Sequence, residues 1–170
     1  MIIHSYGLFW RQDEVLWYPG AGTKNGFRML GRRGSNKPVL QIADFRHQRG
    51  IYILYGDYGP YYVGLARKRS LGDRLKDHLT DKHGGKWDRF SWFGFKRVMR
   101  SKNDNGFQQL KEEVPDNAVI RPHKLIGDIE ALLIKSMGLR NIKNMNITGA
   151  NQWIQIKRLE EADFCERIRW

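Results

Sequence analysis

Four residues in the first half of the chain have side chains that could act together on an anionic substrate. Tyr52 and Tyr62 lie in two short apolar segments, and Arg74 and His78 follow them four residues apart. Residues at this spacing share one face of a helix. An arginine binds phosphate oxygens through its guanidinium fork, and a histidine can relay a proton near neutral pH. A tyrosine, with an ordinary pKa of about 10, becomes a base only when a neighbouring cation such as Arg74 favours the phenolate.

A single carboxylate, that of Glu130, falls within an apolar stripe formed by Ile126, Ile129 and Leu133. A carboxylate in such a position is costly to bury without a partner. Mg²⁺ or Mn²⁺ would be a suitable partner, since such ions keep several waters and need only one or two carboxylates. The alternative is a glutamate at the margin of an amphipathic helix, and position alone favours that alternative.

The segments that carry the tyrosines and the Arg–His pair are predicted to form a hairpin followed by a helix. Residues 51–55 and 61–64 are rich in β-branched and aromatic side chains, which favour strands. Glycine and proline between them predict a loop of several residues. Ser70, with Asp73 three positions later, predicts the start of a helix. The apolar stripe of this helix consists of leucines at every fourth position: Leu71, Leu75 and Leu79.

Later segments supply a further strand and a second helix. Gly84 and Gly85 predict the end of the first helix. The aromatic run from Trp87 to Val98 predicts a strand that is covered on both faces. Apolar residues at three- and four-residue steps predict a second helix from Pro122 to Gly138, which carries Glu130.

Taken in order, these residues resemble the signature of the GIY-YIG nuclease family. Gly50-Ile51-Tyr52 matches its first half, and Tyr62-Val63-Gly64 matches its second half with valine in place of isoleucine. Arg74 and His78 on the first helix and Glu130 on a later helix follow in the family order. The resemblance covers residues 49–146. It implies an α+β fold, with a small three-stranded antiparallel sheet flanked by helices.

The resemblance implies a metal-dependent endonuclease that hydrolyses DNA phosphodiester bonds with Mg²⁺ or Mn²⁺. It makes Tyr52 the general base and Tyr62 the residue that orients water or phosphate. Arg74 would stabilise the phosphate, and Glu130 would bind the metal. A binding module for nucleic acids that has lost catalysis is one alternative, and a non-enzymatic interaction protein that uses the aromatic run is another.

Three further positions of the family pattern are less clearly defined. His78 could relay a proton or hold Tyr52, and His83 is a weaker candidate for the same task. The family asparagine corresponds to Asn141 or Asn144, and we prefer Asn144. Some members carry a lysine directly after the glycine of the second half, where this chain has Leu65.

The chain is strongly basic, with 30 Lys and Arg against 18 Asp and Glu and a net charge of +12. Because this charge is spread along the chain, we expect a polyanionic partner, and DNA in particular. The candidate DNA contacts lie in a basic loop, in a linker after the second strand and beyond the first helix: Arg32, Arg33 and Lys37; Arg67, Lys68 and Arg69; and Lys86. A solvated surface loop is an equally good interpretation of the first group.

The length of 170 residues suits one domain with a small appendage. We predict a β-rich extension at residues 1–48, a catalytic domain at 49–148 and a C-terminal strand and helix at 149–170. The lone Cys165 excludes an intramolecular disulfide and a cysteine-rich zinc site. No apolar run approaches the roughly 18 residues of a membrane span, and no secretory signal is evident, so a cytoplasmic protein without a membrane partner is expected.

Overall fold

The computed structural model of the chain describes residues 3–19, 26–33, 42–111, 128–129, 131–133, 135–136 and 153–159. Within these ranges nine strands form: β1 Ser5–Arg11, β2 Leu30–Arg33, β3 Ile42–Asp44, β4 Gly50–Gly56, β5 Gly59–Ala66, β6 Arg89–Gly94, β7 Arg97–Lys102, β8 Gln108–Lys111 and β9 Ile154–Arg158. A short 3-10 helix spans Phe45–His47, and helix α1 spans Leu71–Asp77. Residues 128–129, 131–133 and 135–136 are also helical.

The nine described strands form one mixed sheet in the order β5-β4-β6-β1-β9-β2-β3-β8-β7. This contradicts the predicted fold class, a small three-stranded antiparallel sheet flanked by helices. Strands β5, β4 and β6 pair antiparallel, but β6 also pairs with β1 on its other edge. The β1–β9 and β3–β8 pairs are parallel. The described part of the chain is therefore dominated by one large sheet.

The larger sheet has a physical cause in the character of β6. All of its residues from 90 to 94 are buried, so the strand is covered on both faces, as its aromatic composition predicts. A buried strand must satisfy its backbone N–H and C=O groups on both edges. Strand β1 supplies the second edge, with pairs that run from Ser5 opposite Gly94 to Arg11 opposite Arg89. The segment that was expected to form an extension thus pairs directly with the strand of the aromatic run.

Alternate residues of β4 face two different hydrophobic cores. The first core includes residues of β4, β6 and α1: Tyr52, Leu54, Phe90, Trp92, Leu71 and Leu75. The second includes Ile53, Tyr55, Phe93, Ala131 and Leu132. Helix α1 therefore covers the face of the sheet that carries Tyr52, and the helical residues Ala131 and Leu132 pack on the opposite face.

Helix α1 begins where the sequence predicts but ends earlier. The Ser70 side chain accepts a hydrogen bond from the backbone N–H of Asp73 at 3.3 Å, which confirms the predicted N-cap. The helix ends at Asp77 with His78 as the C-cap, whereas Gly84 and Gly85 were expected to end it. The chain then turns repeatedly through residues 78–86. No helix in the described ranges is long and apolar enough to cross a lipid bilayer.

Candidate active site

The two signature glycines leave room for the Tyr52 side chain and for close strand pairing. Gly64 of β5 lies opposite Tyr52 of β4, and a Cβ atom at Gly64 would overlap the Tyr52 ring and hydroxyl. Gly50 has a φ of +151°, and a Cβ atom there would overlap the carbonyl oxygen of Phe93. Because the Tyr52 ring lies across β5, any larger residue at position 64 would displace it.

A chain of hydrogen bonds connects the buried phenol of Tyr52 with the carboxylate of Asp81. The Tyr52 hydroxyl lies 2.7 Å from Nε2 of His78, and Nδ1 of His78 lies 2.7 Å from Oδ2 of Asp81. An ionised carboxylate can only accept hydrogen bonds, so Nδ1 carries the proton. In the neutral ring Nε2 then has a lone pair, and it accepts from the Tyr52 hydroxyl. His78 is itself positioned by Trp87, whose indole N–H donates to the His78 carbonyl oxygen at 3.0 Å.

Asp81 remains ionised although it is partly desolvated. Desolvation raises its pKa, but hydrogen bonds from the His83 backbone and the His78 ring outweigh this effect, so the pKa lies below its usual value. The backbone N–H of His83 donates to Asp81 Oδ1 at 2.8 Å. Sequence analysis missed Asp81. Its position three residues after His78 was the available signal, since side chains at this spacing are neighbours on a helix as well as in a turn.

The pKa of Tyr52 is shifted in the direction opposite to the one expected. Burial raises it to about 12, and Tyr62 adds to the rise while Arg74 opposes it. The side chain is fully buried, with 0% of its surface exposed, so desolvation of the phenolate outweighs the attraction of the guanidinium. Tyr52 is therefore protonated at neutral pH. It can accept a proton from another group only if it passes its own proton to His78.

Arg74 lies beside this hydrogen-bond chain. The half-buried guanidinium interacts with the Tyr52 and Tyr62 side chains. Its Nε atom is buried and has no hydrogen-bond partner among the described residues. A buried donor without a partner requires an explanation, and a phosphate oxygen would satisfy it with a charge-assisted hydrogen bond.

Tyr62 and His83 complete the cluster. The Tyr62 ring centroid lies 5.3 Å from that of His78 and 4.5 Å from that of His83. Nδ1 of His83 lies 3.2 Å from the Tyr61 hydroxyl. Desolvation is the main cause that lowers the pKa of His83, so its ring is neutral at neutral pH. His78, Asp81 and His83 each offer one ligand atom, and these atoms lie within 4.8 Å of one another.

Of the residues predicted for the site, four come together in this cluster: Tyr52, Tyr62, Arg74 and His78. Their roles remain predictions. The predicted residues Glu130, Asn144 and Lys37, together with the alternative Asn141, lie outside the described residues. Ala131 and Leu132 pack in the second core, on the opposite face of the sheet from Tyr52.

The candidate DNA contacts occupy several different places in the fold. Arg32 and Arg33 belong to β2 and pair with β9, so they are not part of a loop as the sequence suggested. Residues 67–69 form an exposed bend after β5, and Lys86 is exposed in the turns after α1. Arg69 forms an ion pair with Asp77. The aromatic run offers little surface to a partner, since Phe90, Trp92 and Phe93 are each 0% exposed.

The described residues around Tyr52 do not fit the predicted Mg²⁺ ion. Asp81 is the only carboxylate in hydrogen-bond contact with the cluster's imidazoles in the described ranges. Mg²⁺ prefers an octahedral set of oxygen ligands, whereas this cluster offers two imidazoles and one carboxylate.

Comparisons with protein-family models, curated proteins and solved structures find no match to this chain. The functional interpretation therefore depends on the geometry of the cluster and on the residues of the signature. The most informative feature is the hydrogen-bond chain from Tyr52 through His78 to Asp81, because it joins a potential base to a proton acceptor.

Proposed function

We propose that this chain is a GIY-YIG-type endonuclease that hydrolyses phosphodiester bonds in DNA. The observation that carries the proposal is the hydrogen-bond chain Tyr52–His78–Asp81, which lies beside the unpartnered N–H of Arg74. Phosphodiester hydrolysis needs an acceptor for the proton of water and a positive group at the phosphate. This cluster contains both groups within one small region.

In the proposed reaction a phosphate oxygen binds the Arg74 guanidinium, and water attacks phosphorus. The Tyr52 oxygen takes a proton from this water while the Tyr52 hydroxyl proton moves to Nε2 of His78. The carboxylate of Asp81 stabilises the imidazolium that results. The ester P–O bond then breaks, the leaving oxygen takes a proton from bulk water, and the His78 imidazolium releases its extra proton to solvent, which restores the starting cluster.

The pKa of Tyr52 favours this coupled transfer over a phenolate formed in advance. With a pKa of about 12, ionising Tyr52 at pH 7 costs about 7 kcal/mol. Transfer to His78 avoids that cost because the phenol never becomes a free anion. The role of His78 is therefore to accept the proton, whereas the role of Asp81 is to orient the ring and stabilise its charged form.

Access to the buried hydroxyl is proposed to depend on Tyr62 and Arg74. Both are half-buried and interact with Tyr52, so they are the neighbours that also reach solvent. A phosphate that binds Arg74 would draw the guanidinium away from the phenol and leave space for the attacking water.

The metal and the DNA contacts belong to the same proposal. The described residues around Tyr52 do not form a Mg²⁺ site, so Glu130 as the ligand of Mg²⁺ or Mn²⁺ and Asn144 as a supporting residue are proposed from the family resemblance alone. The exposed cations Arg33, Arg67 and Lys68 are proposed to contact DNA phosphates. We also propose that the protein acts in the cytoplasm.

The test is DNA hydrolysis by the wild type, Tyr52→Phe and Tyr55→Phe, each with Mg²⁺ or Mn²⁺ and with EDTA. Tyr52→Phe should lower the rate by about 10²–10⁴-fold, as is typical for loss of a general base. Tyr55→Phe is the matched control, because Tyr55 lies in the same strand but donates to the Ser136 carbonyl oxygen at 3.1 Å in the other core.

Equal effects of the two substitutions would refute the role of Tyr52. DNA binding without hydrolysis under every metal condition would instead favour the non-catalytic binding module. A Glu130→Gln variant that keeps full Mg²⁺-dependent activity would exclude Glu130 as the metal ligand.

A further inference from the structure

We propose that His78, Asp81 and His83 form a binding site for a first-row transition-metal ion such as Zn²⁺, and that this ion switches Tyr52 off. The metal site stands on the geometry of the three residues alone. The switch rests on the proposed function, since it acts through the hydrogen bond between Tyr52 and His78.

The three residues match the ligand preferences of Zn²⁺ and Co²⁺. Their ligand atoms, two imidazole nitrogens and one carboxylate oxygen, lie within 4.8 Å of one another. Imidazoles with a carboxylate suit such ions, whereas Mg²⁺ prefers oxygen ligands alone. Three protein ligands leave a fourth coordination position for water.

The turn after α1 holds these groups together before any ion binds. The His83 backbone N–H donates to Asp81 Oδ1 at 2.8 Å, and the rings of His78 and His83 lie 4.9 Å apart at nearly a right angle. The Asp81 side chain is 37% exposed, so an ion can reach the site from solvent past this carboxylate.

The hydrogen-bond chain to Tyr52 does not explain why His83 lies in the cluster. That chain needs only His78 and Asp81, yet a second, nearly buried imidazole stands beside them. The hydrogen-bond partner of its ring in the described residues is the Tyr61 hydroxyl, at 3.2 Å from Nδ1. A metal ion would give both imidazoles a common function.

Binding at Nδ1 of His78 would reverse the hydrogen bond to Tyr52. The ion takes the place of the proton that Nδ1 shares with Asp81. A neutral imidazole keeps one N–H, so the proton displaced from Nδ1 is carried by Nε2. Nε2 then donates to the Tyr52 oxygen and has no lone pair with which to accept the Tyr52 proton. Hydrolysis stops because the proton of the attacking water has no route away.

The metal site is tested by titrating the full chain with Co²⁺ and recording visible absorption. The wild type should bind Co²⁺ with the spectrum of an ion bound by nitrogen and oxygen ligands. His83→Ala should weaken binding by at least about 10-fold. His47→Ala removes an exposed histidine outside the cluster and should bind as the wild type does. Tyr52→Phe should also keep Co²⁺ binding, and circular dichroism checks that each variant is folded.

The switch is tested by adding Zn²⁺ to a hydrolysis assay that contains excess Mg²⁺. The wild-type rate should fall with a midpoint equal to the Zn²⁺ affinity measured in competition with Co²⁺. In His83→Ala the Zn²⁺ concentration at this midpoint should be at least about 10-fold higher, whatever the rate of that variant without Zn²⁺.

Each part of the proposal has a result that would overturn it. Absence of Co²⁺ binding by the wild type, or equal binding by His83→Ala, would overturn the metal site. Co²⁺ binding combined with unchanged or faster hydrolysis in Zn²⁺ would overturn the switch. If no condition gives hydrolysis, the proposed function and the switch fail together, and the Co²⁺ spectrum still decides whether the metal site exists.

Discussion

Replacing Asp81 by asparagine is the sharpest test of the hydrogen-bond chain. Asp81 Oδ1 accepts from the His83 backbone N–H at 2.8 Å, and Oδ2 faces Nδ1 of His78. Asparagine must keep its oxygen toward the His83 N–H, so its amide N–H₂ points at His78. Nδ1 then becomes the acceptor, and the neutral ring carries its proton on Nε2. The fold is retained, but His78 can no longer accept the proton of Tyr52.

The expected loss of rate follows from the groups involved. In a buried serine-protease triad the corresponding change costs about 10⁴-fold. Here the Asp81 side chain is 37% exposed, and water screens part of its effect. We therefore expect Asp81→Asn to lower the hydrolysis rate by about 10²–10³-fold, or about 3–4 kcal/mol of transition-state stabilisation.

The pH profile separates this mechanism from a structural defect. The remaining route in Asp81→Asn is Tyr52 phenolate, whose population rises about 10-fold per pH unit below the pKa of about 12. The variant's rate should therefore climb steeply with pH, whereas the wild-type rate, which does not need a phenolate formed in advance, should rise less steeply. Asp13→Asn is the matched control. Asp13 is an exposed carboxylate whose pKa is also lowered, by its hydrogen bond with Arg11, and it lies far from Tyr52 in the sequence. Wild-type activity in Asp81→Asn, or a uniform loss without a changed pH profile, would refute the reasoning.

Three further predictions follow from the same region. The folded-state pKa of Tyr52, about 12, exceeds the unfolded value of about 10, so its stabilising contribution is complete below pH 10 and is lost as pH rises toward 12. In urea unfolding, the free energy of unfolding lost between pH 10 and pH 12 should be smaller in Tyr52→Phe than in the wild type by up to about 2.7 kcal/mol. Equal losses in the two proteins would contradict this prediction. Gly64→Ala should lower both the melting temperature and the hydrolysis rate, because the added methyl group overlaps the Tyr52 ring; unchanged values would show that the ring is free to move. Replacing Arg67, Lys68 and Lys86 together by alanine should flatten the log–log salt dependence of DNA binding by up to about three units, and an unchanged slope would assign these exposed residues to solvated surface.

Short-range features of this chain could be predicted from the sequence because they depend on residues close to one another. Ser70 caps α1 through its own side chain, which accepts from the backbone N–H only three positions further along the chain. The β4–β5 hairpin was predicted, although its turn has two residues rather than the several expected, and a register shift between Leu54 and Tyr55 then places Gly64 opposite Tyr52. The one-turn spacing of Arg74 and His78 likewise brought both side chains to the cluster. Tyr52, Tyr62, Arg74 and His78 were therefore recognisable as candidates before the fold was known, whereas Asp81 was not.

Only the tertiary structure decided the extent of the sheet and the chemistry of its tyrosine. The pairing of β6 with β1 joins segments more than 70 positions apart, and no local pattern specifies which distant edge a buried strand will take. Asp81 also accepts from the His83 backbone N–H because α1 stops at Asp77 and the chain turns, whereas the leucine spacing alone predicted a longer helix. The tertiary structure also decided the direction of the Tyr52 pKa shift. The strands and helix packed around the ring exclude water from it, and this desolvation outweighs the charge of Arg74.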